Sequence, residues 1–167
     1  NIVAPGVSSD IRPIELNAQN DFIIEKTDIY NIRSDVNTTN GIMGIRVNPA
    51  SGGDGFGGVC YIRDVTIDSL NMPQTNVTSA LLTGIELNFP TLPGTVVYIY
   101  NNRISNLFNN GSSTGSTRAM LLNMGNTYST SYVYNNLIYD IKGPRLTSSP
   151  GVRSFDLQAP SVTGTFY

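Results

Sequence analysis

The sequence predicts an all-β fold: a right-handed parallel β-helix, a solenoid of about five coils with about 35 residues per coil. Three observations predict it. Two short motifs recur in strict alternation along the 167 residues. No stretch of ten or more residues carries a helical apolar period. Hydrophobic residues make up 40% of the chain but charged residues only 13%, about half the usual charged share, so polarity comes from Asn, Ser, Thr and Gly, the residues of turns and hydroxyl-rich surfaces.

The first motif reads Ile14-Glu15-Leu16-Asn17, then Ile45-Arg46-Val47-Asn48, Ile85-Glu86-Leu87-Asn88, Met120-Leu121-Leu122-Asn123 and Phe155-Asp156-Leu157-Gln158. Its closing amides are 31, 40, 35 and 35 residues apart. The second motif runs Ile24 to Ile32, Ile62 to Leu70, Ile99 to Leu107 and Val133 to Ile141. Its central Ile positions, 29, 67, 104 and 138, are 38, 37 and 34 residues apart. Turn-rich segments of variable length separate the motifs, as loops on a repeating frame do.

Each repeat offers three short strands: the first motif and the two halves of the second. Three such strands cannot enclose an apolar face alone. Stacked repeats can, each strand pairing in parallel with its counterpart one rung away at about 4.8 Å. A left-handed β-helix runs on a hexapeptide rhythm, and nothing here has a period of six. The chain begins at Asn1 without Met and stops at Phe166-Tyr167 in a strand-like stretch, so residues 1–167 are expected to form one solenoid within a longer chain.

Two asparagines, Asn101 and Asn102, interrupt the second motif, and Asn135 and Asn136 repeat them one coil later. Asn tolerates the left-handed backbone of a sharp corner. A structural corner is therefore expected here, with Asn101 over Asn135 or Asn102 over Asn136 joined amide to amide. Lys26-Thr27 and Asp64-Val65 hold the corresponding places in the first two coils.

Stacking converts alignment into adjacency. In the first motif the outward column reads Glu15, Arg46, Glu86, Leu121, Asp156. Glu15 and Glu86 lie two rungs apart, roughly 9–10 Å, near the carboxylate separation of an inverting glycosidase. These three, Glu15, Arg46 and Glu86, are the only catalytic candidates, and Arg46 between the acids makes a charge ladder the stronger expectation. Glu25, Arg63, Tyr100 and Tyr134 form a second outward column. Tyr100, Tyr134 and Tyr139 are candidate ligand contacts, since exposed Tyr beside Asn suits sugar surfaces. Cys60 aligns with Phe22, Val97 and Ser131 at inward parity and is expected to be a core residue.

The composition also excludes chemistries. With no His and a single Cys, Ser-His-Asp and Cys-His nucleophiles, a disulfide framework and multi-Cys zinc sites are out. A net charge of −2 offers no basic stripe for nucleic acid, and no apolar run reaches the roughly 20 residues of a membrane helix. The glycine-rich loop 52–58 contains Asp54, a weak calcium candidate because one carboxylate cannot supply 6–8 oxygens. No cofactor is expected.

The stretch Tyr132-Val133-Tyr134-Asn135-Asn136-Leu137-Ile138-Tyr139-Asp140-Ile141 resembles the repeats of the pectate-lyase-like right-handed β-helix superfamily. More narrowly, it is similar to repeats in large secreted surface proteins of Bacteroidetes-type bacteria. The resemblance implies a secreted, cell-surface location and a stalk, adhesin or filament role, with polysaccharide or another surface partner and end-to-end self-association as the expected interactions. Enzymes of the superfamily carry grouped Asp with Arg, Lys or His on one sheet. That pattern maps onto no position here, although a polysaccharide lyase or glycoside hydrolase remains the alternative reading.

Overall fold

The computed structural model describes residues 2–3, 10–35, 41–48, 57–75, 81–88, 94–111, 115–123, 130–143 and 151–158. After β1 (Ile2–Val3) come four rungs of three strands each. They are β2 (Ile14–Asn17), β3 (Ile23–Glu25) and β4 (Asp28–Arg33); then β5 (Ile42–Asn48), β6 (Val59–Arg63) and β7 (Thr66–Met72). Next are β8 (Leu81–Asn88), β9 (Val96–Tyr100) and β10 (Arg103–Asn109), then β11 (Ser116–Asn123), β12 (Thr130–Tyr134) and β13 (Leu137–Lys142). Strand β14 (Gly151–Gln158) ends the series. No helix occurs among the described residues.

Every pairing is parallel and joins strands one rung apart. The first sheet stacks β2, β5, β8, β11 and β14; the second β3, β6, β9 and β12; the third β1, β4, β7, β10 and β13. This is the parallel β-solenoid expected from the repeats. The winding comes to about three turns, not about five. The four complete rungs are joined by three rung-to-rung steps. Strands β1 and β14 belong to rungs with no second-sheet member among the described residues, so counting the five copies of the first motif overstated the winding.

The core runs as apolar columns up the axis. Ile45, Ile85 and Met120 stack in the first sheet, Cys60 and Val97 in the second, Ile67 and Ile104 in the third, all fully buried. Burial of each such large side chain contributes about 1.5–3 kcal/mol. Cys60 is the small core residue its alignment predicted; burial pushes its thiol pKa up, which keeps it in the unreactive protonated form.

Two backbone devices bend the strands. In the first sheet the register passes over Gly44, Gly84 and Ala119. A Cβ on Gly44 would stand 2.8 Å from the Gly84 carbonyl oxygen, and one on Gly84 2.6 Å from that of Ala119. Glycine here permits one rung's backbone to approach the next. In the third sheet Asn31, Ser69, Asn106 and Asp140 all take positive φ, 52–58°. The ladder passes over Asn106 and its neighbours in the column, so each strand carries a stacked bulge. Inward residues there fall three apart, as in Ile67 and Leu70 or Ile104 and Leu107.

Candidate functional site

Three outward faces hold the sequence-derived candidates. At the corner between the second and third sheets the two asparagines divide the work. Asn101 and Asn135 take the left-handed backbone (φ 55° and 53°), as do Lys26 and Asp64 in the same column. Asn102 and Asn136 form the ladder: Asn102 Nδ2 donates to Asn136 Oδ1 at 2.9 Å. Asn102 Nδ2 also donates to the Ile62 carbonyl at 3.0 Å, and its Oδ1 accepts the Val65 N–H at 3.0 Å. Asn136 repeats the donation one rung on, to the Ile99 carbonyl at 2.9 Å. Asn102 is 2% exposed, so these bonds satisfy a buried amide and the corner's backbone together.

On the first sheet the predicted column is present in register: Glu15, Arg46, Glu86, Leu121, Asp156. Its charges are consumed in pairs. Arg46 Nε lies 3.2 Å from Glu86 Oε1, without hydrogen-bond alignment, and Arg46 reaches Asp10 at 3.9 Å. Glu15 is held instead by Arg12 at 2.8 Å and by the Asn48 amide at 3.0 Å. Arg46 therefore pairs with Glu86 and Asp10, not with the two glutamates. Asp156 binds Arg118 at 2.8 Å and Arg153 at 2.6 Å. Glu86 and Asp156 are buried. For Asp10, burial raises the carboxyl pKa, but bonds from the Gly41 N–H and Arg12 outweigh it and the net shift is downward.

The second sheet carries the aromatic face. Arg63 pairs with Glu25 at 2.7 Å and donates to the Tyr100 hydroxyl at 3.0 Å. Tyr100 and Tyr134 stack at 5.0 Å with 2° between their planes. A neighbouring column, Tyr61, Tyr98 and Tyr132, stacks at 5.1 and 4.9 Å. This second column went unnoticed in the sequence, although the alternations Tyr98-Ile99-Tyr100 and Tyr132-Val133-Tyr134 announce it. The stacking directs ring faces at neighbouring tyrosines, so Tyr98 has both faces covered. Tyr139 does not join this group. It lies on the third sheet, 5.4 Å from the Arg103 guanidinium.

The third sheet holds a cleft of about 450 Å³ that no sequence motif marked. Its walls are the bulged column Asn31, Ser69, Asn106 and Asp140 and the next column, Arg33, Asn71, Phe108 and Lys142. Beside it Asp68 accepts from Ser105 Oγ at 2.5 Å, Asn106 Nδ2 at 2.8 Å and Ser69 Oγ at 2.8 Å. Burial raises this carboxyl's pKa, yet the three bonds and Arg103 carry it below the ordinary value. Asp68 thus ties together Ser69 and Asn106, two of the bulge residues that line the cleft.

Asp54 lies outside the described residues. Among those described, no group of three or more His, Cys, Asp or Glu could hold a metal ion, and no helix is long and apolar enough to cross a membrane. Set beside known proteins, the chain matches no family model, no curated protein and no solved structure.

Proposed function

We propose that this chain is a structural and adhesive segment of a secreted bacterial surface protein or extracellular filament, a stiff rod whose sides contact polysaccharide. One observation carries the reading. On the face where a β-helix enzyme would keep its carboxylates, Glu15 and Glu86 are each engaged by arginine, Glu15 by Arg12 three residues before it and Glu86 by Arg46 on the neighbouring strand. Parallel ladders in all three sheets supply the stiffness. Strand edges at the ends of such a stack favour further coils or copies end to end. The secreted, surface setting rests on the resemblance of the repeats, and polysaccharide on the polar outer faces.

Incubation with plant, algal and bacterial polysaccharides, followed by product analysis, tests this. The expected result is binding without depolymerisation, with Glu86→Gln costing about 1 kcal/mol of stability and leaving binding intact. Chain cleavage that disappears in Glu86→Gln would overturn the proposal in favour of a lyase or hydrolase.

A further inference from the structure

The geometry points to the third-sheet cleft as a binding groove for a neutral, linear polysaccharide, an inference that rests on the adhesive reading above. One of its walls holds an unmet demand. The Asn71 side-chain oxygen is buried, and no protein group donates to it. A buried acceptor without a partner costs about 1–3 kcal/mol, which rotation of the Asn71 amide towards a ligand hydroxyl in the cleft would recover.

The groove's form selects a chain over a single sugar. Its lining comes from β4, β7, β10 and β13, three rung steps or roughly 14 Å along the axis. Every rung of the bulged column presents one polar side chain, Asn31, Ser69, Asn106 and Asp140 in turn, a spacing that matches a ligand whose hydroxyls also repeat. Phe108, 37% exposed, adds an apolar surface for the C–H face of a sugar ring.

Charge selects a neutral chain. Arg33 is tied to Asp35 at 2.7 Å, while Asp140 and Lys142 come from the same strand and offset each other. The lining charges therefore leave no excess of cations to favour an acidic polymer. A peptide lacks its usual handle here, because the cleft lies on a sheet face whose backbone groups already bond to adjacent rungs, leaving no edge for strand addition.

Affinity electrophoresis tests the inference, with the purified chain run through gels containing β-glucan, mannan or xylan and, separately, alginate or polygalacturonate. The expected result is retardation by at least one neutral polymer, unchanged by added salt. Asn71→Leu and Phe108→Ala should each weaken it roughly tenfold, and the double variant Tyr100→Ala/Tyr134→Ala should leave it intact. Phe108 is partly exposed, so its variant remains informative should Asn71→Leu fail to fold. Retardation that survives both groove variants and vanishes in the tyrosine variant overturns the groove but leaves the adhesive reading standing. Retardation by acidic gels alone also overturns it, and none in any gel overturns the groove and the polysaccharide contact together.

Discussion

Asn102→Leu is expected to lower the stability of the chain by about 3–5 kcal/mol. The side chain is 2% exposed and serves three partners on the adjoining rungs: the Val65 N–H, the Ile62 carbonyl and the Asn136 amide. Leucine matches its volume and serves none of them. Two backbone groups lose the partner that this buried side chain supplied, while the half-buried Asn136 oxygen keeps only the Asn102 N–H, and stranded groups cost more than the bonds themselves are worth. Asn101 provides the control. It is exposed and has φ 55°, a conformation glycine adopts freely, so Asn101→Gly should be near neutral. Urea denaturation of both variants checks the contrast. A loss below about 1 kcal/mol for Asn102→Leu would show that the corner does not depend on the buried ladder.

The second large effect is expected at Ile85, where substitution by alanine should cost about 2–5 kcal/mol. Ile85 is fully buried in β8, with Ile45 below it and Met120 above. A cavity at this point cannot close by moving the strand. The ladders hold β8 to β5 on one side and to β11 on the other, and Gly84 beside it already brings the backbone close to the Ala119 carbonyl. The cost should therefore fall toward the upper part of that range, measured as a lower denaturation midpoint at constant slope. A loss well below 1 kcal/mol would mean that the rungs move independently of one another.

What the sequence disclosed follows from what a repeat can encode. Alternation of two motifs converts directly into stacked strands, so the solenoid and the column from Glu15 to Asp156 could be read before any coordinates. Columns of like position are visible to alignment; what pairs with Arg46 is not. Its second partner is Asp10, which stands outside the motif. The corner was half legible, since two adjacent asparagines do not say which one turns the chain and which one bonds. Positive φ at the first and burial of the second decide it.

The third-sheet bulge left a trace that periodicity alone could have revealed. Ile29 and Ile32, Ile67 and Leu70, Ile104 and Leu107 are three apart, and a straight strand with period two cannot turn both members of such a pair inward. An extra residue in left-handed conformation between them resolves the conflict, and Asn31, Ser69, Asn106 and Asp140 occupy that place. The cleft on this face is lined by the bulged column. It was hidden because its lining residues are individually ordinary polar groups, brought together only by stacking. Tyr61, Tyr98 and Tyr132 were hidden for a simpler reason: they precede the residues on which the second motif was aligned.

Cryo-electron microscopy of the native material tests the central claim most directly. The account predicts three parallel sheets winding about one axis, strands repeating at about 4.8 Å, with Asn102 over Asn136 at one corner and Glu15, Arg46 and Glu86 in a single outward column. Antiparallel pairing, sheets that separate into independent layers, or a register that scatters those three residues would contradict it.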